Sequence, residues 1–378
     1  YPFLYITEVV KTMNNTFKNG TLILFLEGRI DSSNVNEFEN ELMGDSTIFE
    51  NMHIAFDASD LTYISSAGLR VFLKFKKKYK KSVRIINVSD EVYDIFDITG
   101  FNEIFEVERR IREVSLIGCG KISSALNGEI FQFSDDEMIK VFSPNVPLST
   151  IKNERAYAHT AMTLGIPTLI PYDVVKCDEG YGIIYEKAAT TSLSHMLAKN
   201  SNMHSFYAGM LAKMLKDIHS TTVPEGKLPD IKERYREWIQ EVADPPDSKI
   251  SVFSNLIDTI ADKDTYVNGD INLNSIMVQD GELILLDMSG SARGHALFDL
   301  SALYASLVGM EKKSPGYCMR TYGLSSGVCI DFWNEFFNIY MQERTTEIRM
   351  TNELLLKYFV LKESILTKLE HKNSLRKE

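Results

Sequence analysis

The sequence predicts two domains of different fold class: an α/β domain, followed by a bilobal α+β domain with an antiparallel β N-lobe and a helical C-lobe. The chain has 378 residues, more than one ordinary core requires. Strand-like and helix-like segments alternate over residues 1–109, which is typical of an α/β sheet. From residue 110 the pattern changes to short hairpins, and after about residue 187 to amphipathic helices. We therefore expect domains at 1–109 and 110–378, with lobes at 110–187 and 188–378.

Composition and charge exclude several classes of protein. Apolar residues make up 44% and charged residues 25% of the chain, as in ordinary globular proteins. The net charge of −11, from 41 basic and 52 acidic residues, argues against generic nucleic-acid binding. No apolar run is long enough for a membrane span, and the first residues lack a signal-peptide pattern. We therefore expect neither nucleic-acid nor membrane partners. Four cysteines lie far apart and are expected to be free thiols, which favours a cytoplasmic protein: Cys119, Cys177, Cys318 and Cys329.

The first elements of the α/β domain follow from turn and capping residues. The stretch "TFKNGTLILFLEGRID" carries strand signal on both sides of Asn19-Gly20, which predicts a hairpin. Ser32 or Ser33 is expected to cap a helix that runs to about Leu42. The next segment, "HIAFD", is predicted to be a short buried strand that ends at Asp57.

The rest of this domain continues the alternation. "SSAGLRVFLKFKKKYK" is predicted to be a helix and "SVRIINV" a strand. Ser89 is expected to cap the next helix, and Gly100 to end it. "FNEIFEV" would supply the last strand.

Three stretches of this domain resemble the STAS domain, the fold of bacterial anti-anti-sigma factors: "LEGRIDSSNVNEFENEL", "FDASDLTYISSAGLRVFL" and "IINVSDEVYDIFDITGFNEIFEV". They cover nearly all of residues 15–107 in the family's order. In that family the serine just before a Gly-Leu turn accepts a phosphate. The matching position is Ser66, although this chain has Ser66-Ala67-Gly68-Leu69 where the family usually has Ser-Gly-Leu. The resemblance implies an anti-sigma factor or similar regulator as partner, and Ser66 as the phosphoacceptor.

The physical chemistry of a helix start gives Ser66 two interpretations. Free N–H groups and the helix dipole at an N-terminus favour an added anion, which suits a phosphoserine. Alternatively, Ser65 and Ser66 are simply N-caps.

The predicted β lobe carries two features associated with phosphate binding. "REVSLIGCGKISSALNGEIFQFSDDEMIKVF" is interpreted as three strands joined by turns, the first turn holding Gly118 and Gly120. A glycine turn between antiparallel strands lets backbone N–H groups approach phosphate oxygens, although hairpins need glycine for other reasons. Lys140 lies in the third strand and needs an anionic partner, and Glu154 lies in a helix expected from about Ser149 to Gly165.

In the predicted helical lobe, "FYAGMLAKMLKDIHS" has an apolar stripe, including Phe206, that we expect to be core. His219, at the end of this segment, is expected to be a C-terminal capping charge.

Asp280-Gly281 predicts a hairpin. Asp270 would lie in the loop before it and Asp287 at its exit, where two carboxylates can act as a base and a metal ligand. Three further helices are predicted: "DIKERYREWIQEVA", "SVFSNLIDTIA" and the tail "TNELLLKYFVLKESILTKLEHKN", which is expected to pack on the lobe rather than form a dimer contact.

The ordered set over about residues 112–310 resembles the aminoglycoside phosphotransferase family, part of the protein-kinase-like fold. The matching positions run in kinase order: Gly118, Gly120, Lys140, Glu154, Asp270, Asp287, and Asp299 in "GHALFDLSALY". The resemblance implies ATP and Mg²⁺ as cofactors. It implies that Asp270 is the base for an acceptor hydroxyl, that Asp287 binds Mg²⁺, and that Lys140, held by Glu154, binds the ATP phosphates. Asp299 would brace the loops.

Two departures from the family loop leave the activity open. The family usually has His-Gly-Asp and then a metal-binding Asn five residues after the Asp. Here Asn268 replaces the His, position 275 is Ser275, and Asn274 stands one place early. Ser275 offers a poorer metal ligand, and Asn274 could substitute only if the loop shifts. We therefore keep two hypotheses: an ATP-dependent phosphotransferase with a STAS regulatory domain and an unidentified small-molecule or protein acceptor, and a nucleotide-binding pseudokinase that acts as a partner-switching scaffold.

Overall fold

The computed structural model describes residues 14–18, 20–44, 53–80, 83–125, 127–178, 180–188, 191–242, 248–342, 344–359 and 362. The chain divides into two compact units, one ending at Arg112 and the other beginning at Glu113. Each unit has a hydrophobic core of its own. Among the described residues, no helix has the length and apolar character needed to cross a membrane. The four cysteines are free thiols, as the sequence predicted.

The first unit is a five-stranded sheet with the strand order β1-β2-β3-β4-β5, in which only the β1–β2 pair is antiparallel. Its strands are β1 (Asn15–Lys18), β2 (Thr21–Ile30), β3 (His53–Ile64), β4 (Val83–Val88) and β5 (Glu106–Arg109). Its helices are α1 (Val35–Met43), α2 (Ser66–Tyr79) and α3 (Asp90–Ile98), followed by a 3₁₀ turn at Phe101–Glu103. The α/β class predicted from the alternation is confirmed.

Period-two burial and aromatic packing form the core of this unit. Leu22, Leu24 and Leu26 of β2 are each at most 2% exposed, because alternate side chains of a strand share one face. The fully buried rings of Phe56 and Phe72 pack edge to face, with centroids 4.9 Å apart. The sheet is thereby fixed to α2, whose first residue is Ser66.

Several local predictions for this unit are confirmed. The β1–β2 hairpin pairs Lys18 with Thr21, and Gly20 adopts φ +78°, a conformation that favours glycine; Asn19 lies outside the described residues. The Ser89 hydroxyl caps α3 by accepting a hydrogen bond from the amide of Val92.

Three predictions for this unit are wrong. Asn34, not Ser32 or Ser33, occupies the cap position of α1, and the Ser33 hydroxyl donates instead to Asp31. β3 does not end at Asp57 but continues to Ile64, because its pairing with β2 continues to the end of that ten-residue strand. The last strand begins only at Glu106, because the preceding residues form the 3₁₀ turn.

The second unit contains a six-stranded sheet with the strand order β6-β10-β11-β9-β8-β7 and two small two-stranded ribbons, β12–β15 and β13–β14. All pairs are antiparallel except β6–β10. The strands of the sheet are β6 (Glu113–Val114), β7 (Lys121–Ala125), β8 (Gly128–Gln132), β9 (Glu137–Phe142), β10 (Pro171–Cys177) and β11 (Gly180–Glu186). The ribbons are formed by β12 (Tyr266–Val267), β13 (Ile276–Gln279), β14 (Glu282–Leu285) and β15 (Ala292–Arg293).

Helices make up most of the remainder of this unit. One helix, α4 (Leu148–Thr163), lies between β9 and β10. The others are α5 (Leu193–Lys199), α6 (His204–Ser220), α7 (Ile231–Val242), α8 (Ser248–Thr259), α9 (Leu297–Tyr304), α10 (Met310–Lys313), α11 (Tyr317–Tyr322), α12 (Ser326–Tyr340) and α13 (Thr346–Phe359). A π-helical turn at Ala305–Gly309 joins α9 to α10, and a 3₁₀ turn at Ser201–Met203 precedes α6. The described part of the tail, α13, packs on α9 and α8, as predicted. The β lobe and helical lobe are thus confirmed as a fold class.

The predicted glycine hairpin around Gly118 and Gly120 is wrong. The strands on either side of it, β6 and β7, lie at opposite edges of the sheet. Gly120 is instead tied to Gln132, whose strand partner Met138 stands at the beginning of β9. The antiparallel pair that lies next to β9, the strand of Lys140, is formed by β7 and β8. Gly118 and Gly120 therefore do not lie in a turn between two paired strands, the geometry on which the expected phosphate contacts depended.

Gly128, at the start of β8, is the glycine that the sequence analysis missed. A Cβ atom there would collide with the backbone carbonyl of Val141 on β9, so no other residue fits this close approach of two strands.

A further correction concerns α6. Phe206, predicted to be core, is 54% exposed on the first turn of the helix, whereas Leu211 and Leu215 are fully buried as predicted.

Candidate functional site

Lys140 and Glu154 form a buried ion pair in the second unit. Lys140 lies in the middle of β9 and Glu154 in α4, and the distance from Lys140 Nζ to Glu154 Oε1 is 2.5 Å. Their side chains are only 9% and 4% exposed. A strand and a helix therefore meet through two charges that each need the other, because an isolated buried charge is costly.

Asp287 adds a second carboxylate to this pair. Its Oδ2 lies 3.8 Å from Lys140 Nζ, while its Oδ1 accepts a hydrogen bond from the amide of Ser289. Burial alone would lower the pKa of Lys140, but the charges of Asp287 and Glu154 outweigh burial and raise it above the ordinary value. Lys140 therefore carries a fixed positive charge beside the partly exposed carboxylate of Asp287.

Asp270 lies in the loop between β12 and β13, and Asp299 of α9 holds the residues just before it. The two oxygens of Asp299 accept hydrogen bonds from the amides of Asn268 and Gly269, at 2.8 and 2.6 Å. Asp299 is fully buried, whereas the side chain of Asp270 is 61% exposed. The loop is thus anchored from the interior and presents Asp270 to solvent. This is the bracing role expected of Asp299.

His219 is a residue whose role the sequence analysis missed. The sequence predicted that His219 would cap the C-terminus of its helix, and this prediction is wrong. Its Nε2 lies 3.1 Å from Asp299 Oδ2, and its Nδ1 lies 2.8 Å from the hydroxyl of Tyr340. A histidine at the end of an apolar helix was the available signal, but its partners are 80 and 121 positions away.

Asn268 connects the Asp270 loop to the Asp287 loop. Its side-chain amide donates to the Asp287 carbonyl at 2.9 Å, and its side-chain oxygen accepts from the Asp270 amide at 3.3 Å. The loops also touch through two glycines: a Cβ on Gly269 would meet the Gly290 carbonyl, and a Cβ on Gly290 would meet the Asn268 carbonyl. Asn268 therefore braces the Asp270 loop against the Asp287 loop.

Arg234 of α7 ties the end of the Asp287 loop to the helical lobe. Its guanidinium donates to the carbonyls of Gly290 and Ser291. Desolvation by burial lowers its pKa, while nearby Tyr157 acts in the opposite direction.

Asn274 and Ser275 are occupied by local contacts. The Asn274 side chain accepts a hydrogen bond from Ser194 at 2.5 Å and donates to the Thr321 carbonyl at 3.0 Å. The Ser275 hydroxyl donates to the Asn272 carbonyl and accepts from the Asn272 amide. The structure thus joins Lys140, Glu154, Asp287 and the Asp270 loop into one region, but it gives Asn274 and Ser275 other partners.

The donor set fits Mg²⁺ held together with a nucleotide better than Mg²⁺ held by protein alone. Among the described residues, no group of three or more His, Cys, Asp or Glu side chains is arranged to hold a metal ion. Mg²⁺ commonly takes one or two carboxylates and completes its shell with substrate phosphates and water. Asp287, 37% exposed beside Lys140, provides one such carboxylate.

Lys362 is a second residue that the sequence analysis missed. Its Nζ donates to Asp270 Oδ1 at 3.0 Å and to the Gly269 carbonyl at 3.2 Å. It lies 92 positions beyond Asp270, in a tail segment that was predicted only as an amphipathic helix. No local pattern could have indicated this contact.

Ser66 lies in the other unit, at the first position of α2. Its side chain is exposed, whereas the hydroxyl of Ser65 accepts a hydrogen bond from the Gly68 amide at 3.3 Å. The capping role therefore belongs to Ser65. This leaves the Ser66 hydroxyl at a helix start and accessible to solvent.

Comparison with known proteins separates the two units. Residues 12–114 match the family model for the STAS domain. The "Putative anti-sigma factor antagonist BtrV" of Bordetella bronchiseptica is 35% identical to this chain over 92 residues, which cover 24% of this chain and 78% of that protein.

The rest of the chain is similar to kinase-like structures. The amicoumacin kinase hAmiN, solved with AMP-PNP, Ca²⁺ and Ami, matches with a TM-score of 0.50 and 13% identity, over 74% of this chain and 87% of that chain. The aminoglycoside phosphotransferase APH(3'')-Id from Streptomyces rimosus matches with a TM-score of 0.44 and 15% identity, over 64% of this chain and 93% of that chain. At such low identity the likeness concerns the fold, and the second unit has a kinase-like fold.

Proposed function

Because the chain belongs, through residues 12–114, to the family of proteins that carry a STAS domain, we propose that it is a signalling protein in which a nucleotide-dependent phosphotransferase is coupled to an anti-sigma-factor-antagonist-type module. The observation that carries the proposal is the buried pair of Lys140 and Glu154 with Asp287 3.8 Å from the same ammonium. A fixed cation next to a solvent-accessible carboxylate suits a polyphosphate and its metal ion.

In this mechanism Lys140 binds phosphate oxygens of ATP, and Glu154 keeps its ammonium in place. Asp287 is the residue that would hold Mg²⁺, which supplies charge neutralisation for the phosphates. Asp270, exposed on a loop that Asp299 anchors, accepts the proton of the acceptor hydroxyl. That hydroxyl oxygen bonds to the γ-phosphorus as the bond to ADP breaks.

The acceptor is a hydroxyl group on a small molecule or a protein. The regulator that would dock on the STAS module is an anti-sigma factor or a protein of similar type. Ser66, exposed at the start of α2, is the proposed phosphorylation site of the STAS module, because the helix N-terminus favours an anion.

A second candidate function is supported by one specific observation. The side chains of Asn274 and Ser275 are already engaged in hydrogen bonds with Ser194, Thr321 and Asn272. A site with a single firm metal ligand suits a pseudokinase that binds nucleotide and serves as a partner-switching scaffold.

One experiment separates the two functions. Calorimetry with ATP, with and without Mg²⁺, measures binding, and ADP release measures turnover. The phosphotransferase is supported by turnover that disappears in Asp270→Asn. Mg-ATP binding without any Asp270-dependent turnover supports the scaffold, and absence of nucleotide binding contradicts both.

A further inference from the structure

Lys362 brings a buried ammonium group to the loop of the proposed base. Its Nζ bonds both the side chain of Asp270, at 3.0 Å, and the carbonyl of Gly269, at 3.2 Å. One cation therefore joins the backbone and the carboxylate of consecutive residues. Such a two-point contact restricts how the Asp270 side chain can rotate.

The two partners differ strongly in exposure. The Lys362 side chain is 3% exposed, whereas that of Asp270 is 61% exposed. The ammonium thus lies on the interior side of the carboxylate, and the carboxylate remains open to an acceptor hydroxyl. Lys362 holds Asp270 from behind and does not cover it.

The surroundings of Lys362 suit a buried cation. Its Nζ lies 5.9 Å from the ring centre of Tyr235 and 6.0 Å from that of Trp238, within reach of cation–π attraction. A buried ammonium requires an anionic partner, and Asp270 is the carboxylate it contacts.

The catalytic loop provides no cation of its own. The stretch "VNGDINLNSIMV", residues 267–278, contains no Lys, Arg or His. We infer that Lys362, supplied by the tail of the chain, is a positioning residue that fixes the carboxylate of Asp270 for proton transfer. The inference rests on the proposed function, in which the acceptor O–H bond breaks, its proton passes to Asp270, and the oxygen takes the γ-phosphoryl group from ATP.

The test uses the full chain with Lys362→Met and Lys362→Arg. The matched control is Lys232→Met, because Lys232 is also a buried lysine bonded to a carboxylate and a carbonyl, those of Asp262 and Ile260. Steady-state ADP release from Mg-ATP gives kcat, and calorimetry gives the Kd for Mg-ATP.

We expect Lys362→Met to lower kcat by about 10- to 100-fold while the Kd changes by less than about twofold, because positioning errors affect the chemical step. Lys362→Arg should recover part of kcat, and Lys232→Met should retain it. The inference is overturned if Lys362→Met keeps the kcat of the parent protein, or raises it, since a rise would make the contact inhibitory.

A thermal double-mutant cycle gives a readout independent of activity. Asp270→Asn should lower Tm by about 3 °C when Lys362 is present, because it leaves the buried ammonium without its carboxylate, and by less in the Lys362→Met background. Equal shifts in both backgrounds contradict the inference. If the parent protein turns over no ATP, the proposed function fails, and this cycle alone decides whether Lys362 holds Asp270.

Discussion

His219 Nε2 lies 3.1 Å from Asp299 Oδ2 in the core of the helical lobe, and the same carboxylate accepts hydrogen bonds from the backbone amides of Asn268 and Gly269. The histidine at the end of α6 and the loop of Asp270 are thus joined through one buried anion. The conformation of the proposed catalytic loop depends on a residue that does not itself reach solvent.

The first prediction concerns this anion. Asp299→Asn should lower the free energy of unfolding by about 3 kcal/mol, because an amide group would point an N–H₂ group at one of the present donors. Asp270-dependent turnover should fall as well. Chemical denaturation and ADP release measure the two effects.

The control for this prediction is Asp264→Asn. Asp264 is likewise an aspartate that contacts a basic side chain, that of Arg293, but it is 72% exposed, so the substitution should cost less than about 1 kcal/mol. If Asp299→Asn is as stable as this control, the anchoring role is wrong.

The local pattern placed Lys140 in a strand and Glu154 in a helix, and the resemblance to the kinase-like fold implied that the two residues pair. Pattern alone showed only that Lys140 needs an anionic partner, and it did not identify Glu154, fourteen positions away, as that partner. The Asp280-Gly281 hairpin was also predictable, since both residues adopt the positive φ that such a turn requires.

The contacts that the sequence did not indicate join residues far apart along the chain. His219 meets Asp299 across 80 positions, and Lys362 meets Asp270 across 92. The failure at Gly118 and Gly120 has the same origin. The strand order that puts β6 beside β10, rather than beside β7, is a tertiary property that turn residues do not encode.

The second prediction concerns nucleotide binding. Lys140→Met and Asp287→Asn should each weaken Mg-ATP binding by about tenfold or more, because each removes a charge proposed to contact phosphate or metal. Isothermal calorimetry measures the affinity. Lys176→Met is the matched control, since Lys176 is also a strand lysine paired with a glutamate, Glu113, but is 46% exposed. Unchanged affinity in both site variants, with folding intact, would rule out the proposed site.

The third prediction concerns the metal ligand that the loop lacks. Ser275→Asn restores an amide at the position five residues after Asp270, and an amide oxygen is a better Mg²⁺ ligand than a hydroxyl. We expect the Mg²⁺ concentration for half-maximal turnover to fall by about threefold or more. Titration of ADP release with Mg²⁺ measures it.

Asn274→Ala is the companion variant. Asn274 bonds Ser194 and Thr321, so its removal should cost about 1 kcal/mol of stability without changing the Mg²⁺ requirement. A large shift in Mg²⁺ requirement for Asn274→Ala would mean that this residue, and not position 275, faces the metal.

The fourth prediction is a pH dependence of stability. Desolvation by burial, together with the charge of nearby Lys263, lowers the pKa of His295, whose Nδ1 accepts a hydrogen bond from the Leu297 amide. A lowered pKa contributes stability that is present above the ordinary histidine range and is lost as pH falls through the folded-state pKa. The free energy of unfolding should therefore decrease as the pH falls below the ordinary histidine range.

His295→Asn should flatten this part of the pH profile, because asparagine keeps an acceptor for Leu297 and does not titrate. His195→Asn, at an exposed histidine, is the control. Urea unfolding at each pH gives the profile. An equal slope in the parent protein and in His295→Asn would assign the acid sensitivity to other groups.

The last prediction concerns the STAS domain and separates two adjacent serines. Ser65 caps α2 through the Gly68 amide, so Ser65→Ala should lower the free energy of unfolding by about 1 kcal/mol. Ser66 is exposed at the first helical position, so Ser66→Ala should be close to neutral for stability yet remove the proposed phosphosite. After incubation with Mg-ATP, phosphosite mapping by mass spectrometry should find phosphate at Ser66 in the parent protein and no phosphate at Ser66 in the Asp270→Asn variant.

Two outcomes distinguish the forms of this last hypothesis. If Ser66 stays unmodified while Asp270-dependent turnover is detectable, the kinase-like unit does not act on its own STAS domain. The phosphoswitch itself is then tested with Ser66→Asp, which adds a negative charge at the helix start. If Ser66→Asp and Ser66→Ala bind every STAS-dependent partner as the parent protein does, Ser66 is a surface serine, and regulation through this domain must use another group.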